Sequence, residues 1–206
     1  MSRKWWILTL VAPLGLALDQ ITKTMVRAWI PEGHEYQVIP DFFRLIHVEN
    51  PGAAWGFLGG YEHRLWIFIG VSLLAFLVIA LYFRGLAPGE RWQPVALSLL
   101  LAGAGGNFVD RVRFREVTDF VDLYIGWDGA LREWLLVRSA TSHYPTFNVA
   151  DVCIVAGVVM FLLHVLILEP RALKREKVEP SAPTAPSAPT VPAAPTEPVE
   201  QDTPAP

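Results

Sequence analysis

Two aspartates carry the chemistry this chain could perform. Asp119 stands in Val117-Thr118-Asp119-Phe120-Val121-Asp122, and Asp151 closes Phe147-Asn148-Val149-Ala150-Asp151 at the start of a long apolar run. A carboxylate at or inside a bilayer boundary is expensive and by default marks a functional site. Two carboxylates brought together cannot both ionise easily, so one keeps its proton while the other acts as base toward a water held between them. Such a pair hydrolyses amides without metal or cofactor. Asp122 competes with Asp119 for this role, and spacing does not choose between them. Asn148 and Asp151, three apart, also have the pattern of a capping box, in which a carboxylate is favoured by the helix dipole.

Further polar residues gather around the same boundary. Asp19 and Lys23 are four apart on one face of the first apolar segment, where they can pair. Glu49-Asn50-Pro51-Gly52-Ala53-Ala54-Trp55-Gly56 is a turn of small residues at which a bound peptide could approach the backbone closely. Gly103-Ala104-Gly105-Gly106-Asn107-Phe108-Val109-Asp110-Arg111 permits close helix packing and ends in two acceptors and a guanidinium, readable also as an anchor with an internal Asp110–Arg111 salt bridge. Other hydrolytic chemistries lack their residues. There is no G-x-S-x-G and no H-E-x-x-H, the five histidines show no ligand spacing, and Ser72 and Ser98 have no lysine nearby in sequence. The single cysteine, Cys153, excludes an intramolecular disulfide and reads as a small buried residue.

The elements that must hold these residues are membrane spans. A 206-residue chain that is 52% hydrophobic, with mean hydropathy +0.34, exceeds what an ordinary soluble domain carries. Four segments, about 5–28, 64–83, 92–109 and 148–168, approach the ~20 residues needed to cross a bilayer. A cleaved secretory signal is the competing reading of the first, but its pattern runs on past Asp19-Gln20 without a small-x-small cleavage site. Arg3, Lys4, Arg84, Arg91, Arg171, Lys174, Arg175 and Lys177 fall on one side of a four-span arrangement, which the positive-inside rule makes cytoplasmic, with both termini. Trp5, Trp6, Trp29, Trp66 and Trp92 fall near span ends, at headgroup level. The long connections then lie outside, and there the alternation in 35–40 and 42–48 predicts a small sheet on the membrane face, within 31–63. Residues 1–177 form the membrane domain; from Val178 a Pro, Ala, Thr and Glu repeat predicts a disordered cytoplasmic tail, 178–206. The net charge of −3 owes much to that tail, and no basic patch with interleaved aromatics indicates nucleic acid.

Taken in order, Asp19-Gln20-Ile21-Thr22-Lys23, Asn50-Pro51-Gly52-Ala53-Ala54-Trp55-Gly56, Gly106-Asn107-Phe108-Val109-Asp110-Arg111, Val117-Thr118-Asp119-Phe120 and Phe147-Asn148-Val149-Ala150-Asp151 resemble the successive motifs of the bacterial lipoprotein signal peptidases, signal peptidase II. The resemblance implies a mainly α membrane protein of four transmembrane helices with an extracytoplasmic β-cradle. It implies an intramembrane aspartic endopeptidase of the inner membrane that cuts prolipoproteins just before a cysteine already carrying diacylglycerol. By motif position the catalytic pair is Asp119 and Asp151. Asn50, Asn107, Arg111 and Asn148 match positions that line or support the substrate site, with Gly52 and Ala150 beside them; Asp19 and Lys23 match a positioning pair, and Asp110 a structural acid. The resemblance also implies a monomer, contact with membrane lipids, and inhibition by the cyclic peptide globomycin. Two stretches depart from the family pattern: a longer link between the aspartate motifs, 125–146, and the Pro-rich tail. The competing class is a small non-enzymatic transporter or assembly factor whose Asp19, Asp110, Asp119 and Asp151 form a proton path, which would need carboxylates through the full membrane depth.

Overall fold

The apolar segments become four long helices: α1 (Arg3–Trp29), α2 (Tyr61–Gly85), α3 (Trp92–Phe114) and α4 (Val149–Leu163), the last prolonged by a π-helical turn over His164–Leu168. The structure, a computed structural model, describes residues 2–52, 61–124 and 144–168. Ala53-Ala54-Trp55-Gly56, most of the expected 125–146 insert and the 178–206 tail lie outside the described residues. All four helices are long and apolar enough to cross a membrane. α3 continues to Phe114, five residues past its expected end at 109, and stops where Arg115 takes a left-handed conformation at φ 68°.

The bundle is apolar outside and polar within. Leu10, Leu14 and Leu18 on α1, Leu74 and Leu77 on α2, and Val155 and Leu162 on α4 are exposed. The fully buried side chains include Lys23, Asn148, Asp19 and Asp110. α3 is the central helix, packed against the other three. Its small residues permit this: a methyl group on Gly103 would lie 2.7 Å from Ile154 Cγ1 and closer still to the Ala150 carbonyl oxygen of α4. On the other side, Gly15 of α1 accepts Ala102 at a distance no larger residue would allow.

A three-stranded antiparallel sheet, β1 (Glu35–Ile39), β2 (Phe43–Asn50) and β3 (Val117–Leu123), sits at one end of the bundle in the order β1-β2-β3. The first two strands lie within 31–63. The third lies outside that range: β3 comes from the stretch between α3 and α4, so the sheet joins the α1–α2 connection to the α3–α4 connection. Val48 pairs with Asp119, Glu49 with Thr118 and Asn50 with Val117, with a bulge on β2 between Leu45 and Val48. Beyond β3 the chain before α4 returns as a bridge, Val121 to Phe147, in which Phe147 N–H donates to Val121 O at 3.1 Å and Val121 N–H to Phe147 O at 2.8 Å.

Candidate active site

That bridge brings the two aspartates together. It places the start of α4 beside β3, so Asp151 in the first turn of the helix and Asp119 on the strand flank Asn148, which donates to both. Asp119 and Asp122 are three residues apart on a regular strand, and therefore point to opposite faces. Asp119 turns toward α4, while Asp122 turns to the face where it pairs with Arg44, which also pairs with Glu35.

Each carboxylate has its own amide donors. Asn148 Nδ2 donates to Asp119 Oδ1 at 2.7 Å, and Asn50 Nδ2 to Asp119 Oδ2 at 2.9 Å. Asn107 Nδ2 donates to Asp151 Oδ1 at 2.9 Å, and the Asn148 backbone N–H to Asp151 Oδ2 at 3.1 Å. The latter is half of a complete capping box, since Asp151 N–H donates back to Asn148 Oδ1. Capping and site construction are thus the same set of bonds. Asn50 is held in turn by Gly52, whose N–H donates to Asn50 Oδ1 at 2.8 Å. Gly52 sits at φ 83°, and a side chain there would collide with the Phe68 ring, so glycine is required twice over.

Asp119 is only 3% exposed. Burial pushes its carboxyl up to about 6; the Asn50 and Asn148 amides oppose that rise, and the charge of Asp151 adds to it. A carboxyl raised in this way, beside a second carboxylate, is what the acid/base pairing asks for.

Beneath the pair lies a buried ionic cluster. Lys23 Nζ donates to Asn107 Oδ1 at 2.9 Å and forms ion pairs with Asp19 Oδ2 at 3.0 Å and Asp110 Oδ2 at 2.8 Å, with no exposure to solvent. Asp19 accepts the Ala150 N–H at 2.8 Å, tying α1 to the first turn of α4. Asp110 turns toward Lys23 and Arg27, so the internal salt bridge to its neighbour Arg111 is not the arrangement found. Arg111 instead lies over the Phe68 ring at 4.5 Å, donates to Asn107 O at 3.3 Å, and is within electrostatic reach of Asp151 and Asp119. The residues predicted from sequence therefore meet at one place. Among the described spans, acids occur only at this end of the bundle, which leaves the proton-path reading without its required chain. A cleft of about 420 Å³ opens between α2, α3 and α4, apolar along Val71, Ala75 and Leu100 and ending at Asn107 and Arg111. Among the described residues no group of His, Cys, Asp and Glu could hold a metal ion.

The sequence reading missed Arg27, Thr118 and Gln20. Gln20 Nε2 lies 3.1 Å from Asp19 Oδ2 and 3.1 Å from Asp110 Oδ1, joining the two acids. Arg27 had a signal: it follows Lys23 by four residues, as Lys23 follows Asp19, which puts all three on one helix face.

The family model described as Signal peptidase (SPase) II matches residues 11–167. The chain belongs to the signal peptidase II family. Among similar proteins, the lipoprotein signal peptidase of Geobacter metallireducens is 37% identical over 174 residues, covering 84% of this chain and 99% of that one. The lipoprotein signal peptidase of Syntrophotalea carbinolica is 40% identical over 157 residues, covering 76% and 89%. Among solved structures, a bacterial membrane enzyme determined in meso at 1.9 Å resolution is similar with a TM-score of 0.65 and 32% identity, over 78% of this chain and 92% of that one. A second, at 2.3 Å, gives a TM-score of 0.66 and 30% identity, over 85% and 94%. With its four apolar helices, the chain is a membrane protein of this protease family.

Proposed function

We propose that this chain removes the signal peptide from diacylglyceryl-modified prolipoproteins, cutting just before the lipidated cysteine, with Asp119 and Asp151 as the catalytic pair. The observation that carries the reading is the meeting of these two carboxylates, Asp119 buried and Asp151 half-buried, each held by separate amide donors, beside the Asn107 and Arg111 end of an apolar cleft.

Asp119 keeps the proton that burial favours, and Asp151, at the positive end of α4, carries the charge. Asp151 takes a proton from water, the hydroxide oxygen bonds to the scissile carbonyl carbon, and Asp119 gives its proton to the carbonyl oxygen. Collapse of the tetrahedral intermediate breaks the C–N bond, and the proton on Asp151 passes to the leaving amine, while the intermediate's hydroxyl returns one to Asp119. Arg111 and Asn50 hold the unwound peptide, whose bare backbone groups would otherwise cost several kcal/mol each in lipid. Asp19, Lys23 and Asp110 hold the floor of the site, Gly52 and Ala150 fix Asn50 and the start of α4, and Asn107 and Asn148 orient the carboxylates. The signal helix occupies the cleft between α2, α3 and α4, with the diacylglyceryl chains remaining in lipid beside it.

In this reading the protein lies in the bacterial inner membrane with both termini cytoplasmic and the sheet outside, in keeping with Arg3, Lys4, Arg84 and Arg91 at the opposite end of the bundle. A single chain supplies every group named, so a monomer suffices. The test is cleavage of a diacylglyceryl-modified prolipoprotein by purified protein in detergent, read as a gel shift. Wild type and Asp122→Asn should cut, globomycin should block wild type, and folded Asp119→Asn and Asp151→Asn should not cut. Cleavage by either of the last two would remove the aspartate pair from the mechanism.

A further inference from the structure

Behind the catalytic strand runs a second chain of polar contacts. Glu49 and Thr118 face each other across the β2–β3 ladder, next to Asn50 and Asp119. Adjacent residues on a strand point to opposite faces, so Thr118 faces α1 where Asp119 faces α4. The Thr118 hydroxyl donates to Glu49 at 2.9 and 3.1 Å, and accepts from Arg27 Nε at 2.7 Å. Arg27 Nη2 donates to Asp110 Oδ1 at 3.1 Å, its Nε lies 3.8 Å from Glu49, and its guanidinium covers the Phe114 ring at 4.1 Å. The last turn of α1 is thereby tied at once to β2, β3 and the end of α3.

The chain has two ends. At one, His47 Nδ1 lies 2.7 Å from Ile30 O and Nε2 lies 2.8 Å from Glu49 Oε1. The carbonyl only accepts, so Nδ1 donates there, and Nε2 faces the Glu49 carboxylate. At the other end Asp110 meets Lys23, which meets Asn107, which holds Asp151. From these contacts we infer that Arg27, acting through Thr118 and Glu49, is a positioning residue that sets Asp119 against Asp151. Register matters here because a one-residue slip of β3 would turn Asp119 to the wrong face. The backbone ladder is bulged between Leu45 and Val48, just before this point, so the Arg27–Thr118–Glu49 contacts fix the register where the ladder is interrupted.

This inference rests on the aspartate-pair reading. Its test uses the full-length protein in detergent with the same lipidated substrate, and measures kcat, KM, the pH profile of kcat/KM, and the melting temperature. Arg27→Met should lower kcat by roughly 10- to 100-fold, the cost of a displacement of about 1 Å at the reacting groups, with KM little changed. Mere loosening would lower the rate alike at every pH. A positioning charge does more. The alkaline limb reports loss of the proton from the pair, which faces Arg111 and Lys23, with Arg27, Glu49, His47 and Asp110 lying behind the strand. Removing the Arg27 cation should move that limb to higher pH, and Glu49→Gln, removing an anion, should move it to lower pH, each by on the order of half a pH unit. Where Arg27→Met yields no folded protein, Thr118→Ser should retain the rate and Thr118→Val should lose it. Wild-type kcat in Arg27→Met, limbs that do not move in opposite directions, or equal rates in the two Thr118 variants would overturn the inference. Asp119→Asn runs alongside: cleavage by that variant would instead refute the aspartate pair.

Discussion

Gly103 touches neither carboxylate, yet replacing it should disable the site. A Cβ there would meet Ile154 Cγ1 at 2.7 Å and Ile154 N at 3.0 Å, where ordinary contact begins near 3.4 Å, and would press hardest on the Ala150 carbonyl oxygen. Ile154 can rotate; the backbone of α4 cannot. Relief therefore requires the start of α4 to move away from α3 by roughly 1 Å, a shift that can cost about 100-fold in rate. The same shift stretches the 2.9 Å bond from Asn107 to Asp151 and pulls Ala150 N–H from Asp19. Overpacking of this kind should also cost about 1–3 kcal/mol of stability. The assay is single-turnover cleavage of the lipidated substrate together with thermal melting in detergent, with Gly70→Ala as control. Nothing lies within 4 Å of a Cβ at Gly70, so that variant should cut like wild type and melt at the same temperature or slightly higher. Gly103→Ala cutting at the wild-type rate would refute the reasoning, because it would show that the site tolerates displacement of the helix carrying Asp151.

Two other outcomes follow from the same contacts. Because burial raises the Asp119 carboxyl to about 6 from 3.8, the native state holds that proton more tightly than the unfolded chain. Stability from this group is full below pH 4 and is lost as pH rises to about 6, so wild type should lose up to about 3 kcal/mol relative to Asp119→Asn between pH 4 and 7, read from paired melts; a difference independent of pH would contradict it. At the far end of the bundle, Lys4 Nζ donates to Phe83 O at 3.2 Å, Arg84 O at 3.2 Å and Leu86 O at 2.6 Å, capping the end of α2. Lys4→Met should cost about 1.5–3 kcal/mol by thermal melting while leaving kcat unchanged.

The spans were legible because long apolar runs admit few other structures, and β1 and β2 because their residues alternate. β3 was not read as a strand, since Val117, Thr118, Asp119 and Phe120 are all buried and a strand covered on both faces shows no alternation. That omission also left Asp119 and Asp122 undecided: once the segment is a strand, separation by three sends them to opposite faces. The site residues were legible as a set because an acid or amide in a membrane segment stands out against its neighbours. What the sequence did not carry was which partner each one takes. Asp110 was weighed against the adjacent Arg111 and is found with Lys23 and Arg27, because neighbouring residues on a helix diverge by about 100°. Thr118 and Glu49 gave no signal of their own; their meeting is a matter of strand register, fixed only in three dimensions.

A dense group of charges at the end of a lipid-facing bundle persists only if the charges cancel, since breaking a buried pair leaves an uncompensated ion. Lys23 lies between Asp19 and Asp110, and Arg27 adds a second cation to Asp110, so these four groups balance. Arg111 then faces the proposed pair, Asp119 and Asp151, together, with Asp110 also within its reach. One cation against two acids is neutral only when one acid keeps its proton. A second ionisation would strand a charge in a pocket where Asp119 is 3% exposed, and a second protonation would strand Arg111. In the proposed mechanism, electrical balance and water activation call for the same singly protonated pair. The cluster of Asp19, Lys23, Asp110 and Arg27 does more than brace the helices: with its own charges balanced, it leaves Arg111 as the cation that faces both carboxylates of the proposed pair.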